Sequence, residues 1–264
     1  MQATPEEPGY MDTDSFNQGL IHFLSASPTP FHAVANMSET LQREGFTRLN
    51  ERDAWTLEPG RYYVTRNQSS IIAFVVGKAP MTDTGIRMVG AHTDSPCLKV
   101  KPVPEKSSKG YNQLGVEVYG GVLLAPWFDR DLSLAGRVTH TDGNGQLTNT
   151  LLDLKRPVAT IPSLAIHLDR EANSNRSINP ETDMPPVMLL EDADFSLRSL
   201  ISDAVEDATP LASDLYFYDT NPARIIGARS EFIASARLDN LLSCYTGMTA
   251  LIEADDNVQP AGVQ

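Results

Sequence analysis

The sequence predicts an α/β protein interrupted by a second, β-rich domain, and three observations lead there. The first third alternates helical and extended patterning and ends in Met88-Val-Gly-Ala-His-Thr-Asp-Ser-Pro96. Its apolar run reads as a buried strand that delivers His92 and Asp94 to a loop at its carboxyl end, where open α/β sheets place ligands. From about residue 114 to 168, short β runs follow one another between glycine and turn clusters, with no periodic helix. Helical spacing then returns from Leu238, with apolar positions at 238, 241, 242, 245, 248 and 252. The domain division these patterns predict is a disordered leader over 1–13, a first α/β part over 14–97, an inserted β-rich domain over 98–227, and a second α/β part over 228–264.

Within the first part, Asp14 or Ser15 is placed to cap a helix that carries Phe16, Leu20, Phe23 and Leu24 on one face. Ser27-Pro-Thr-Pro30 breaks it. Thr29-Pro30 then opens a second helix with Val34, Met37 and Leu41 on its inner stripe, which stops near Gly45. His32 falls in its first turn, where capping or packing explains it. Arg61 to Arg66 and Ser70 to Val76 flank Asn67-Gln68 and read as a hairpin.

In the inserted block, Leu98, Val100 and Val103 alternate with lysines, as on a half-exposed strand. Further strands are expected at Leu114 to Tyr119, Leu134 to Thr139, Leu147 to Leu154 and Val158 to Leu168, with a turn at Thr141-Asp-Gly-Asn-Gly145. Residues 170–186 read as a loop, and Phe195 to Val205 as a short helix. Leu215 to Tyr218 and Arg224 to Ile226 read as strands leading back to the first domain.

A net charge of −13 argues against nucleic acid or an anionic membrane as the main partner. The longest apolar runs, such as Ile71 to Val76, are far too short to span a bilayer. The N-terminus has neither a basic n-region nor an apolar h-region, so no secretory signal is expected and the cytoplasm is the default compartment. Two cysteines, Cys97 and Cys244, form no disulfide framework and read as small buried hydrophobes.

The residues that carry chemistry are few. In His92-x-Asp94 the imidazole can bind a metal through one nitrogen while the carboxylate fixes tautomer and orientation. A histidine at a strand end can equally be a hydrogen-bonded structural residue, and spacing alone does not decide. Asp239 falls at the start of the last helix, where the dipole favours an ionised carboxylate and an N-cap role is the plainer explanation. Asp129 and Asp131 lie two residues apart, which is a poor arrangement for a carboxylate-pair hydrolase.

Five segments carry a resemblance. Ser27-Pro-Thr-Pro-Phe-His32, Ala91-His-Thr-Asp-Ser-Pro96, Pro126-Trp-Phe-Asp-Arg-Asp-Leu-Ser-Leu-Ala-Gly-Arg137, Ile161-Pro-Ser-Leu-Ala-Ile-His-Leu168 and Ala236-Arg-Leu-Asp-Asn-Leu241 resemble, in family order, the aspartyl aminopeptidase family of zinc metallopeptidases. The resemblance implies a metallopeptidase-type catalytic domain with a mixed sheet flanked by helices, and an inserted β-rich domain that mediates dimerisation and a dodecameric assembly. It implies removal of N-terminal, acidic residues from peptide substrates. His92 resembles a zinc ligand, Asp94 its orienting catalytic neighbour, and Asp239 the carboxylate bridging two zincs about 3.5–4 Å apart. His167 resembles a histidine that reaches an active site, in the dimer the partner's, and is sometimes treated as a further ligand. The segment 126–137 reads as domain-junction structure.

The resemblance also implies a glutamate pair, supplying the general base and a ligand, then an aspartate and a histidine after the helix that starts at Asp239. None has a counterpart before Gln264. The chain is therefore expected to be a fragment cut within the catalytic domain, with an unpaired sheet edge and little activity alone. The alternative is a non-catalytic assembly or interaction protein derived from such an enzyme.

Overall fold

The computed structural model describes residues 12–142, 144–205 and 209–254. The predicted leader lies outside them except for Asp12 and Thr13, and the sequence beyond Ala254 lies outside them as well. The chain divides into two compact units: one runs to Asp94 and resumes at Ala223, and the other spans Ser95–Pro222. The expected boundaries, 97/98 and 227/228, lie a few residues further along the chain at both ends.

In the first unit, Asp12 rather than Asp14 or Ser15 caps α1 (Thr13–Ala26). Its carboxylate accepts from the backbone N–H groups of Asp14 and Ser15, each at 3.0 Å. These are two donors that a helix start leaves without partners. α2 (Pro30–Arg43) begins on capping Thr29 with Pro30 in its first turn, and Gly45 takes a left-handed φ of 81° just past its end. Strand β1 (Thr47–Leu49) runs parallel to β2 (Gly60–Arg66), which pairs antiparallel with β3 (Ser70–Val76). The hairpin turn places Asn67 and Gln68 at φ of 51° and 57°, the paired left-handed residues of a tight turn that matches strand twist. A single turn, α3 (Met81–Thr84), follows and is exposed.

The last helix, α6 (Leu238–Glu253), packs with α1 and α2, and α2 and α6 lie on β3. Leu20, Phe23, Leu24, Met37, Leu41, Tyr245 and Met248 form the core there. The α1–α6 crossing is close: a Cβ on Gly19 would stand 2.1 Å from the Tyr245 hydroxyl. Arg61 on β2 donates to the carbonyls of Ile252 and Ala254, each at 3.0 Å, satisfying acceptors the helix end leaves open. The short pair β10 (Arg224–Ile226) and β11 (Phe232–Ala234) completes this unit.

The strand expected to end at His92 does not form. Residues 85–96 have no helix or strand, and Met88 and Val89 are 86% and 81% exposed. A strand exists only where a neighbour supplies a hydrogen-bonding ladder, and none of the described residues pairs with this apolar run.

Among its described residues, the second unit is a six-stranded antiparallel sheet in the order β7-β6-β9-β4-β5-β8. Its strands are β4 (Cys97–Ser108), β5 (Tyr111–Tyr119), β6 (Leu132–Thr141), β7 (Leu147–Asp153), β8 (Val187–Leu190) and β9 (Pro210–Asp219). Two short helices accompany it, α4 (Pro180–Asp183) and α5 (Leu197–Ala204). Leu98, Leu114, Leu132, Leu134, Val138, Leu215 and Phe217 fill its core. β6 and β9 approach so closely at Gly136 that a Cβ there would lie 2.0 Å from the Asp214 carbonyl oxygen.

Leu215 to Tyr218 sits in β9, between β6 and β4, because both neighbours offer it antiparallel ladders, and the chain re-enters the first unit shortly after it, at Ala223. Two expectations change here. Val158 to Leu168 is no strand: isolated bridges form at Ala159 and Thr160 only. Pro162 has no N–H to donate, and the Ala165 carbonyl accepts from Leu168 and Asp169 to close a turn. The Pro126–Arg137 segment is not junction structure but lies inside the second unit, a 3-10 turn (Ala125–Trp127) leading into β6.

Candidate functional site

His92, Asp94 and Asp239 come together in the first unit. His92 Nδ1 lies 3.0 Å from the Asp94 carbonyl oxygen and 3.2 Å from its Oδ1, while Nε2 lies 3.2 Å from Asp239 Oδ1. Asp239 can face the imidazole because it is not helical. Arg237 takes a left-handed φ of 64°, and Asp239 (φ −86°, ψ 105°) and Asn240 (φ −127°, ψ 26°) precede the regular part of α6. The peptide between Asp239 and Asn240 is cis. All three side chains remain open to solvent, Asp239 most of all at 82% exposure.

Both ring nitrogens of His92 thus face oxygen acceptors. A neutral imidazole carries one N–H and can donate to only one side. With the proton on Nδ1 and directed at Asp94, the Nε2 lone pair points at a carboxylate oxygen, an opposition that a cation between them relieves. Two ligands at about 2.1 Å from a tetrahedral zinc stand about 3.4 Å apart, close to the Nε2–Oδ1 separation seen here. The donor pair therefore fits one edge of a zinc coordination shell, with Asp94 as the carboxylate behind the histidine. Among the described residues, no group of three or more His, Cys, Asp or Glu side chains is arranged to hold an ion.

Two side chains that the sequence reading passed over hold this loop. Thr93 Oγ1 donates to the Ser69 carbonyl at 2.7 Å, tying the loop to the hairpin. Cys244 Sγ donates to the His92 carbonyl at 3.2 Å from the buried face of α6. Burial, and secondarily the Asp94 carboxylate, pushes the Cys244 thiol up to about 11, so it carries its proton at neutral pH. The signal in the sequence is helical spacing: Cys244 falls little more than one turn after Asp239. Cys97, at the start of β4 in the other unit, is a partly buried cysteine outside any disulfide.

His167 stands in the second unit, in an exposed turn flanked by exposed Ile166 and Leu168. The segment before it is clamped by Asp129, whose N–H donates to the Ile161 carbonyl and whose Oδ1 accepts from the Ser163 N–H, both at 2.9 Å. Those Ser163 hydrogen bonds hold the Asp129 carboxyl below the usual aspartate range, aided by Arg176. Asp129 is thus a structural anchor and not half of a hydrolytic pair. His32 accepts its N-terminal role, its Nδ1 lying 2.8 Å from the capping Thr29 hydroxyl.

Comparison with known proteins adds an independent line. Residues 23–263 match the family described as aminopeptidase I zinc metalloprotease (M18). A probable M18 family aminopeptidase 2 of Stutzerimonas stutzeri is 54% identical over 252 residues, covering 91% of this chain and 58% of that protein. Among solved structures, Chaetomium thermophilum mApe1 is similar with a TM-score of 0.83 and 35% identity, over 94% of this chain and 60% of that one. The S. cerevisiae mApe1 dodecamer gives a TM-score of 0.75 and 28% identity, over 90% and 56%. The chain spans just under three fifths of the length of the curated relatives it matches.

Proposed function

The chain belongs to the M18 family of aminopeptidase I zinc metalloproteases, and on that premise we propose that it serves a zinc aminopeptidase that removes N-terminal, acidic residues from peptides. The observation that carries this reading is His92 Nε2 facing Asp239 Oδ1 at 3.2 Å with Asp94 on the other ring nitrogen. In it, Asp94 accepts a hydrogen bond from Nδ1–H and so fixes the tautomer that leaves the Nε2 lone pair to bind a metal. Asp239 supplies the anionic oxygen on the opposite side and is proposed to bridge a pair of metal ions. Zinc bound there supplies a Lewis acid and a water of lowered pKa. The solvent exposure of Asp239 and His92 leaves this edge open to a peptide end.

His167 is proposed as the contribution of one subunit to another's site. Its support is an exposed turn whose flanking residues, Ile166 and Leu168, are apolar and 45% and 75% exposed, a combination that suits an interface. The S. cerevisiae relative is described as a dodecamer, and a homo-oligomer of this chain follows as part of the proposal. A cytoplasmic site of action belongs to it too; no helix among the described residues is long and apolar enough to cross a membrane.

A second reading is an assembly protein without catalysis. It is favoured by the lack, among the described residues, of any three-membered metal-binding group, since catalytic zinc takes three protein ligands and an open position. One experiment separates the two: zinc content and turnover of Asp- and Glu-aminoacyl substrates by the purified chain and by His92→Ala. Zinc binding and acidic-preferring turnover, both lost in His92→Ala, are expected. Zinc without turnover selects the assembly reading, and zinc binding unchanged by His92→Ala overturns the site itself.

A further inference from the structure

His92 sits in a loop with no ladder to fix it, yet its imidazole must meet Asp239 from a distant part of the chain. Residues 85–96 form neither helix nor strand, so side-chain hydrogen bonds and packing have to set the geometry. The Thr93 hydroxyl anchors the neighbouring residue to the hairpin. The contact on His92 itself comes from Cys244, whose thiol donates to the His92 carbonyl oxygen at 3.2 Å. Cys244 is 5% exposed and projects from the regular part of α6, which follows the non-helical Asp239 and Asn240.

That helix is held at both ends. Arg237 Nη2 donates to the Leu24 carbonyl at 3.0 Å, and Arg61 donates to the carbonyls of Ile252 and Ala254. One turn on from Cys244, Gly247 leaves room for Val89: a Cβ there would stand 3.4 Å from Val89 Cγ1. Positions 244 and 247 share a helix face, so the face of α6 that holds the His92 carbonyl also passes close to the largely exposed Val89. The segment that leads into α6 therefore presents one carboxylate, and the helix that follows holds the peptide of the histidine that faces it.

We propose that Cys244 is a positioning residue for the site: its S–H group holds the His92 carbonyl and thereby sets the approach of the imidazole to Asp239. This rests on the metal reading of His92 and Asp239, and it assigns the thiol no part in binding the ion.

The test is a zinc titration of the purified chain against a competing chelator, with His92 ring ¹⁵N shifts and thermal unfolding recorded on the same samples. The variants are Cys244→Ala, Cys244→Ser and His92→Ala, with Cys244→Val replacing Cys244→Ala if the latter does not fold. Cys244→Ala is expected to weaken zinc binding by about ten-fold or more, as loss of a supporting hydrogen bond does in metal sites. Cys244→Ser, which keeps a donor, is expected to retain most of the affinity. Loss of zinc in His92→Ala with wild-type affinity in Cys244→Ala overturns the positioning role and leaves the site reading intact. Equal loss in Cys244→Ser and Cys244→Ala also overturns it, because the sulfur and not the donated hydrogen bond would then matter. Zinc binding unchanged in His92→Ala, or absent in the wild type, overturns the metal reading. The ring shifts then decide the positioning role: a change in Cys244→Ala restored in Cys244→Ser supports it, and no change overturns it.

Discussion

The two units differ in what holds their important residues in place. In the second, six strands lie in one antiparallel ladder over a continuous apolar core, and its polar groups sit in pairs on that frame: Asp214 meets Lys99 at 3.1 Å and Arg137 at 3.0 Å. In the first, the three-stranded sheet and three helices make a smaller core, and the candidate residues stand on a loop and a helix start outside any ladder. Side-chain hydrogen bonds, such as those from Thr93 and Cys244, help to hold that loop. Rigid ladders give stability cheaply because each residue adds to an existing register. A site that must remain open to a ligand is instead held from a few points, and each point is individually exposed to mutation.

The largest effect should come from breaking the ladder unit's core. Phe217 is 1% exposed in β9, between β4 and β6. Phe217→Ala is expected to cost about 3–5 kcal/mol in urea unfolding, from lost burial and the cavity left behind. A cost under about 1 kcal/mol would mean that this sheet does not carry the stability assigned to it.

A smaller effect sharpens the comparison through pH. Burial pushes the Asp214 carboxyl up, but hydrogen bonds and charge from Lys99 and Arg137 outweigh it and hold the group below its ordinary 3.8. A depressed folded-state value stabilises the fold above about pH 3.8, and that contribution is lost as pH falls through the lower folded value. Asp214→Asn should therefore flatten the acid limb of the stability curve below pH 4, while costing on the order of 1 kcal/mol at neutral pH for this half-buried group of three charges. An acid limb unchanged by the substitution would remove Asp214 from that role.

The smallest effect concerns the absent strand. If Val89 lies in an open loop, Val89→Ala should change stability by no more than about 0.5 kcal/mol. A loss of 2 kcal/mol or more, on the order of burying a whole Val side chain, would show that the segment is packed in solution as a strand.

Much of the first unit was legible from residues alone. Thr29-Pro30 and Gly45 bracket α2, Asn67-Gln68 turns the hairpin at the expected position, and the 238–252 spacing becomes α6. Caps, turns and helical stripes are short-range devices, so a few neighbouring side chains state them fully. The cap of α1 was misplaced by two residues because Asp12, Asp14 and Ser15 are chemically equivalent candidates and only the backbone path chooses among them. In the second unit the strands of β4 to β7 were readable from alternation, but not their order, nor the place of β9 at the centre of the sheet. Order is a matter of which edges meet.

The candidate site divides along the same line. The sequence by itself determined that His92 and Asp94 share one short segment, that Asp239 opens a helix, and that His167 lies in the β-rich block. Only the tertiary structure decided that Met88 to Ala91 stays out of the sheet, that the imidazole meets Asp239, and that a cysteine with no evident role reaches the His92 carbonyl. The physical reason is that propensity and capping act over a few residues, whereas a ladder or a side-chain contact needs a partner whose nearness the fold alone creates.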